Sequence, residues 1–272
     1  MCGGTELVML GAIIGDIVGS VYEFGADKTK DFQLFSPGCS LTDDSLMTMA
    51  VGITCVSADT HNEGEFKRTL SSMMREIGRQ YPYAGYGDRF FNWLTDDDAG
   101  PYGSGGNGSA MRVSPVAYAA ESLEDAERLA KWSAEVTHNS TEGITGAQAV
   151  AAAVYLARTG HSKDEIRAYI DERYYNMNVT LDEIRPGYKY SVLCEGSVPQ
   201  AIICFLEAYS FEDALRNAVS LGGDGDTMAA IAGAIAEAYF GIPEEIAACA
   251  FRYFDDTEID YYYDYADQLY PN

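Results

Sequence analysis

Two apolar segments, LTDDSLMTMAVGITCVS at 41–57 and LGGDGDTMAAIAGAIAEAYFG at 221–241, each begin with two aspartates and a threonine. The second segment carries no charge between Asp226 and Glu237, so most of it must be buried. Desolvating an unpaired carboxylate is costly, and we therefore expect a compensating positive charge beside these acids. The side chains concerned are Thr42, Asp43, Asp44, Asp224, Asp226 and Thr227.

Two explanations compete for these acids. Carboxylates in the first turn of a helix suit its dipole, and Thr42 is a good N-cap, so capping accounts for one acid of the first segment and would explain any such case in isolation. Alternatively, oxygen ligands of this kind suit Mg²⁺, Mn²⁺ or Ca²⁺ rather than zinc. Four carboxylates could hold two cations bridged by a shared aspartate, as in hydrolytic two-metal sites. The residues alone leave both explanations open.

A glycine-rich segment, PYGSGGNGSAMRVSPV at 101–116, runs into a predicted helix. Its glycines expose backbone N–H groups just before that helix, which suits the binding of phosphate oxygens. The segment is not a P-loop, because no GK[ST] sequence follows it. The alternative is a flexible loop whose helix is capped by Asn107 or Ser109.

Two further segments contain single residues that could contribute to a site. The segment 135–149 holds His138, one of three histidines, although a lone histidine is more often structural than functional. The segment 10–24 predicts an apolar, glycine-studded helix in which Asp16 is a hydrogen-bonded structural acid. Glu23 ends the same helix and could face a shared site, but this segment alone assigns it no role.

Composition narrows the possible ligands. The chain has 272 residues, of which 47% are hydrophobic, and a formal net charge of −24. The apolar content indicates a folded globular protein. The charge argues against binding of a nucleic-acid backbone, which requires clustered Lys and Arg. An anionic ligand would need a bound metal or helix N-termini to compensate.

Cysteine spacing and the length of apolar runs predict a cytoplasmic protein without a membrane partner. The six cysteines lack a CxxC pair, which favours free buried thiols over disulfides or a zinc site. The apolar run at 7–15 is too short to span a bilayer, and no basic region precedes it as in a signal peptide. Because Met9 is a plausible start, we interpret residues 1–8 as a dispensable extension.

Helical patterns dominate the chain. Alanine-rich segments or segments of 3.6-residue periodicity predict helices near 7–24, 42–58, 62–80, 108–120, 122–136, 141–160, 163–173, 197–209, 211–221, 227–240 and 243–254. The acid- and tyrosine-rich C-terminus predicts a final amphipathic helix with a solvated acidic face. A strand pattern is found only around 188–194. Without repeats or a linker, we predict one all-α domain over residues 1–272.

Taken in order, five motifs resemble those of the ADP-ribosylglycohydrolase family. They are GAIIGDIVGSVYEF, LTDDS, GNGSAMR, VTHN, and GGDGDT followed by an Ala/Gly helix, and they span residues 10–240. This family includes the dinitrogenase reductase-activating glycohydrolase, the vertebrate ADP-ribosylhydrolases and the J1 crystallins. The resemblance implies a single compact domain of orthogonally packed helices with a dinuclear Mg²⁺ or Mn²⁺ site.

The resemblance also implies residue roles, carried over position by position. The implied metal ligands are Thr42, Asp43, Asp44, Asp224, Asp226 and Thr227. Glu23, with the metal-ligating Asp44 or Asp226, is implied in acid–base catalysis. The implied contacts to the diphosphate, the ribose and the substrate side of the cleft are Gly106, Asn107, Gly108, Ser109, Met111 and His138.

The implied activity is hydrolysis of the glycosidic bond at the anomeric carbon of ADP-ribose. The substrate would be an ADP-ribosylated protein or a small ADP-ribose conjugate. A non-catalytic ADP-ribose-binding protein or a crystallin-like structural protein is the alternative from another functional class. A third possibility is a metal-dependent hydrolase of a different nucleotide-sugar or phosphate ester.

Four residues depart from the family pattern. Gly225 stands where the family has a small hydroxyl residue, between the two aspartates of GGDGDT. Ser140 and Thr141 replace the histidine and proline that many bacterial members have after VTHN, and Gly105 stands where bulkier residues are common. These differences bear on substrate specificity more than on metal binding.

Overall fold

The computed structural model describes residues 9–23 and 28–269, which form fifteen α-helices and no β-strand. The protein is all-α, as predicted. The helices are α1 (Gly11–Gly19), α2 (Asp43–Ser57), α3 (Glu63–Gln80), α4 (Asp88–Thr95), α5 (Gly108–Met111), α6 (Val116–Ala119), α7 (Leu123–Glu135), α8 (Thr141–Arg158), α9 (Lys163–Arg173), α10 (Leu181–Ile184), α11 (Cys194–Glu207), α12 (Phe211–Val219), α13 (Gly225–Phe240), α14 (Glu244–Ala250) and α15 (Asp256–Leu269). A 3₁₀ turn, Phe251–Tyr253, separates the last two.

Most of the predicted helices are present, and three predictions were wrong in detail. The helix expected at 108–120 is two short helices, α5 and α6, because Pro115 disfavours helical backbone in the residue before it. The short helices α4 and α10 were missed, since neither spans enough turns to show a clear period. The region 188–194 contains no strand, and only an isolated bridge joins Leu193 to Gly106.

Other helix boundaries also differ from those predicted. The described part of the segment expected to be helical at 7–24 is helix only over α1, and residues 7, 8 and 24 lie outside the described residues, as does the proposed extension 1–8. Helix α13 begins two residues earlier than predicted, at Gly225. The predicted C-terminal helix is confirmed: α15 buries Tyr262 and Tyr265 and leaves most of its aspartates exposed.

Helices α1 and α13 pack backbone against backbone through three glycines of α1. A Cβ added to Gly11 would lie 2.5 Å from the carbonyl oxygen of Gly233, and one on Gly15 only 2.0 Å from that of Ala229. At Gly19 it would lie 2.4 Å from the Cα of Asp226. These distances leave no room for a side chain on this face of α1. The end of α1 therefore lies directly on the first turn of α13.

Buried carboxylates accept hydrogen bonds at the N-termini of two central helices. Glu237 of α13 accepts from the N–H groups of Leu10 and Gly11, at 3.3 and 2.7 Å, where α1 begins without a side-chain cap of its own. Asp16 of α1 accepts from the N–H groups of Thr42 and Ser45, at 2.8 and 3.1 Å. Such acceptors satisfy N–H groups that a helix leaves unpaired, so they fix where α1 and α2 start.

The remaining helices enclose this central pair. Helices α8, α11 and α12 pack against α13, α7 packs on α8, and α3 and α15 pack on α2. The described cysteines are all free, and four of them, Cys39, Cys55, Cys194 and Cys204, are buried, as predicted. Within residues 9–23 and 28–269, no helix has the length and apolar character needed to cross a membrane.

We expect Gly15→Ala to destabilise the protein by about 3 kcal/mol or more, because its Cβ would overlap the α13 backbone and force the helices apart. Urea unfolding followed by circular dichroism measures this change. Gly187→Ala is the matched control, since a Cβ there meets nothing within 4 Å and should change stability by less than about 0.5 kcal/mol. Equal stability of the two variants would contradict the packing argument.

Candidate active site

A cavity of about 390 Å³ opens where the ends of α1, α2 and α13 meet the loop before α5. Its volume lies within the range of small-molecule sites. All but one of the residues predicted for the site line it: Glu23, Thr42, Asp43, Asp44, Gly106, Asn107, Gly108, Met111, His138, Asp224, Asp226 and Thr227. The structure thus brings together residues that are up to two hundred positions apart in the chain.

Five acids in or next to the cavity form two groups that share one member. Oxygen atoms of Asp16, Asp44 and Asp226 lie within 4.8 Å of one another, as do those of Glu23, Asp224 and Asp226. Asp226 belongs to both groups because it lies in the first turn of α13, between the ends of α1 and α2. Asp16, predicted as a structural acid, has the predicted hydrogen bonds and is also part of this cluster.

The acids repel one another and have no positively charged partner side chain in the described part of the chain. Within the described residues, no Lys or Arg forms an ion pair with any of them. Burial, followed by the charge of Asp226, raises the pKa of Asp44 well above its usual range. Burial and the charge of Asp224 do the same for the pKa of Asp226. Burial and Asp16 raise the pKa of Asp43 to about 8.

The side chains around the acids fit a bound cation. Asp44 Oδ1 is buried and has no hydrogen-bond partner, which is costly unless a ligand supplies one. Its other oxygen, Oδ2, accepts from the Thr227 hydroxyl at 3.3 Å. Thr42 caps α2 by accepting from the Asp44 N–H, and its hydroxyl donates to Asp16 at 2.7 Å. The side-chain atoms that could bind a cation here are all oxygens, the ligands that hard divalent cations prefer.

Capping therefore explains only part of the arrangement. Thr42 caps α2 as predicted, but Asp224, at the N-cap position of α13, makes no side-chain capping bond. Asp224 Oδ2 instead accepts from Asn107 Nδ2 at 2.7 Å. Asp224 thus faces the cavity instead of capping its own helix, whereas Asp226 Oδ1 accepts from the Thr227 N–H in the first turn of α13 at 2.9 Å.

The glycine-rich loop is held rigidly beside the acids. Asn107 donates its backbone N–H to the Val192 carbonyl oxygen at 2.8 Å and its side-chain amide to Asp224 and to Ser197, at 2.7 and 3.2 Å. Gly106 donates its N–H to the Ser104 hydroxyl at 3.1 Å. Two of the loop's N–H groups are thus paired within the protein. Asn107 does not cap α5, contrary to the capping alternative.

His138 lies against the same loop as a neutral side chain. Burial and the nearby Arg112 lower the pKa of His138 well below its usual range. Arg112 donates to Thr137 Oγ1 at 2.9 Å, and that oxygen lies 2.7 Å from His138 Nδ1. We assign the hydroxyl proton to the bond with Nδ1, which leaves Nε2–H near Gly108, where an added Cβ would lie 3.1 Å away.

Ser109 does not line the cavity. Its side chain is fully buried, and its hydroxyl donates to the Gly143 carbonyl oxygen at 2.7 Å. That bond ties α5 to α8, so the structure gives the hydroxyl a packing partner. Met111 lines the cavity, with its sulfur 3.9 Å from the Thr227 hydroxyl.

Ser140, which stands where many bacterial family members have a histidine, links the glycine-rich loop to α8. Ser140 caps α8 by accepting from the Gly143 N–H at 3.1 Å, and its hydroxyl donates to the Ser104 carbonyl oxygen at 2.8 Å. The loop is therefore tied to α8 without the proline. A Cβ on Gly105 would lie 3.5 Å from the Glu142 side chain, on the side of the loop toward α8.

The cavity lining also includes residues that were not singled out from the sequence, among them Arg89, Tyr102, Arg112 and Tyr190. Arg112 is fully buried, and Arg89 lies over the Tyr102 ring, 4.7 Å from its centroid. Tyr190 donates its hydroxyl to Glu23 at 3.3 Å. Arg89 lies on the missed helix α4, whose apolar run FFNWL was the signal for that helix. Tyr190 lies in the region 188–194, where a strand was predicted and none is present. No local sequence pattern indicates its hydrogen bond to Glu23.

An all-α fold with an acid cluster beside a glycine-rich loop is what the resemblance to the ADP-ribosylglycohydrolase family implies. The ADP-ribosylglycohydrolase family model matches residues 7–271. The chain therefore belongs to the ADP-ribosylglycohydrolase family. Members of this family are hydrolases, and the protein is an enzyme of this class.

Individual relatives agree with this assignment. Human ADP-ribosylhydrolase ARH3 is 28% identical over 314 residues, covering 87% of this chain and 85% of that protein. ADP-ribosylarginine hydrolase Tri1 of Pseudomonas putida strain GB-1 is 27% identical over 261 residues, covering 86% of this chain and 70% of Tri1. A solved structure of an ADP-ribosylglycohydrolase-related protein complex has the same fold, with a TM-score of 0.69 at 22% identity over 96% of this chain and 94% of that one.

We expect the cation-free protein to lose stability as the pH rises from about 4 to about 8. The cavity acids have folded-state pKa values above their unfolded values, so the folded state binds more protons than the unfolded state in this interval. Deprotonation then leaves unpaired buried charge, which a divalent cation would neutralise. The gain in melting temperature on replacing EDTA with excess Mg²⁺ should be larger at about pH 8 than at about pH 5.

Differential scanning fluorimetry at the two pH values measures this gain. The variant Asp98→Asn, which removes an exposed acid outside the cavity, should show the same dependence of this gain on pH as the unmodified protein. A gain from Mg²⁺ that is independent of pH would contradict the raised pKa values of the acids.

Proposed function

We propose that the protein hydrolyses the glycosidic bond at the anomeric carbon of ADP-ribose, in an ADP-ribosylated protein or a small ADP-ribose conjugate, with two Mg²⁺ or Mn²⁺ ions. The observation that carries this proposal is the pair of carboxylate groups sharing Asp226, next to the Gly106–Gly108 loop in one cavity. The names of the relatives, ADP-ribosylhydrolase and ADP-ribosylarginine hydrolase, support the substrate class.

The cation ligands we propose are side-chain oxygens at the N-termini of α2 and α13. When bound, the ions would neutralise the acids, act as a template for the ribose hydroxyls and stabilise charge at the reacting centre. The proposed ligands are Thr42, Asp43, Asp44, Asp224, Asp226 and Thr227, with Asp16 and Glu23 completing the two carboxylate groups. The unpartnered Asp44 Oδ1 supports this assignment, because its burial otherwise has no compensation.

The loop and its neighbours are proposed to hold the diphosphate and ribose. Gly106 and Gly108 allow close approach of a ligand, and the Nε2–H of His138 would donate to it. Arg89 is a cation of the cavity lining that could face a phosphate oxygen directly. Asn107 would contribute by fixing the loop to Asp224, and Ser109 by fixing α5 to α8.

Glu23 is the proposed acid–base residue, with Asp44 or Asp226 as the alternative acid. Its carboxyl group lies at the cavity mouth, and burial and Asp224 raise its pKa. It would take a proton from the attacking water as the oxygen bonds to the anomeric carbon, or give one to the leaving group. We also propose that the protein acts in a reducing compartment such as the cytoplasm, where its buried thiols stay free.

Release of ADP-ribose from a panel of ADP-ribosylated arginine, serine and O-acetyl substrates tests the proposal. We expect turnover of at least one substrate with Mg²⁺ or Mn²⁺ and loss of turnover with EDTA. Glu23→Gln should lose about 100-fold or more in kcat and should weaken only the cation site that Glu23 shares with Asp224 and Asp226. Calorimetric binding of ADP-ribose without turnover of any substrate would instead support a non-catalytic ADP-ribose-binding protein.

We expect Asp226→Asn to abolish the binding of both cations, because Asp226 belongs to both carboxylate groups. Asp224→Asn should weaken one cation site and spare the other, since Asp224 belongs to a single group. Isothermal titration with Mn²⁺ gives the stoichiometry, and Asp98→Asn is the control on the surface. Loss of one cation only in Asp226→Asn would contradict a shared ligand.

A further inference from the structure

Glu23 is held differently from the other cavity acids. It lies beyond the end of α1 and is half-buried, whereas Asp44, Asp224 and Asp226 are buried in or beside first helical turns. Its carboxylate nevertheless lies within 4.8 Å of those of Asp224 and Asp226. Because these like charges repel, the surrounding chain must hold Glu23 in this place.

One restraint on Glu23 is the close contact of its backbone with Gly225, at the start of α13. A Cβ added to Gly225 would lie 3.2 Å from the carbonyl carbon and oxygen of Tyr22 and 3.4 Å from the Glu23 nitrogen. Gly225 is the first residue of α13 and does not have a positive φ, so its own backbone conformation does not require glycine. The close contact with Tyr22 and Glu23 favours glycine instead. The missing side chain lets the Tyr22–Glu23 peptide lie against the helix start.

The backbones approach each other more closely at Gly19 than at Gly225. A Cβ on Gly19 would lie 2.4 Å from the Gly225 carbonyl oxygen, a distance that would force the helices apart. The distances at Gly225 are tighter than ordinary contact by only a few tenths of an ångström, so the Tyr22–Glu23 peptide could move to admit a side chain. Substitution at Gly225 should therefore displace Glu23 while leaving the helix packing in place.

A second restraint reaches Glu23 from the opposite side of the cavity. The Tyr190 hydroxyl donates to Glu23 Oε1 at 3.3 Å. Two residues further on, the Val192 carbonyl oxygen accepts from the Asn107 N–H at 2.8 Å, which attaches this segment to the glycine-rich loop. Tyr190 as a whole residue is 46% exposed, and it lines the cavity, so the contact is made near the cavity mouth.

We propose that Gly225 and Tyr190 are positioning residues for Glu23, Gly225 by setting how closely its backbone approaches α13 and Tyr190 by setting the direction of its carboxylate. Together they hold Glu23 as the third acid of the group formed with Asp224 and Asp226. This inference rests on the proposed function for its effect on turnover, but its effect on cation binding is independent of turnover. It also gives the departure at Gly225 a physical role.

Gly225→Ser and the smaller Gly225→Ala test the backbone restraint. Titration calorimetry with Mn²⁺ should show the affinity of one cation falling about tenfold in Gly225→Ser, and less in Gly225→Ala, while the other affinity stays within about twofold. Gly100→Ser is the matched control, since a Cβ there meets nothing within 4 Å. Circular dichroism establishes that each variant is folded. Unchanged Mn²⁺ affinities in both folded Gly225 variants would overturn this half of the proposal.

Tyr190→Phe tests the second restraint, with Tyr83→Phe as the control on a fully exposed tyrosine. We expect kcat to fall about tenfold with KM nearly unchanged, because the phenol acts through Glu23. In the background of Glu23→Gln, the same substitution should have no further effect on kcat. A change in KM alone, or an equal loss of kcat in that background, would mean that Tyr190 acts independently of Glu23.

The two arms separate failure of this inference from failure of the proposed function. If the unmodified protein turns over no ADP-ribose substrate, the proposed activity fails, and the Mn²⁺ affinities of the Gly225 variants still decide the backbone restraint. If both Gly225 variants lose the folded spectrum, Gly225 has a packing role like that of Gly19, and that half of the proposal is overturned.

Discussion

The contact between α1 and α13 determines the geometry of the whole site. Because three glycines of α1 lie on the α13 backbone, Asp16 in α1 and Glu23 just beyond its end both lie within a few ångströms of Asp226 in α13. The three glycines put no side chain of α1 between the two backbones, so the helices cannot slide without backbone overlap. The other helices pack around this pair and fix the glycine-rich loop against it.

The cavity acids are costly in isolation, and the fold offsets part of that cost with backbone dipoles. Asp16 accepts N–H groups at the start of α2, and Asp44 and Asp226 lie in first helical turns, where the helix dipole favours negative charge. Burial still raises their pKa values, so the dipoles compensate incompletely. The remaining imbalance is what makes the site suited to cations.

Much of the site could be predicted from the sequence because most of its residues lie in short, recognisable motifs. The paired acids before apolar helices and the GNG loop are short patterns that can be read directly from the sequence. Because these motifs occur in the same order as in the ADP-ribosylglycohydrolase family, they could be assigned to one site. The participation of Asp16 in the cluster, the Tyr190–Glu23 contact and the inward burial of Ser109 depend on which elements pack together. Arg89 was missed with its helix, since α4 spans only about two turns.

The hydrogen bond from Asn107 to Asp224 has a thermodynamic consequence. It joins the loop proposed for the diphosphate to an acid proposed for a cation, so a ligand at either place changes the environment of the other. Such coupling is reciprocal: the factor by which cation occupancy alters nucleotide affinity equals the factor by which the nucleotide alters cation affinity. The order in which the two ligands arrive would then affect the kinetics of assembly but leave the stability of the complete complex the same.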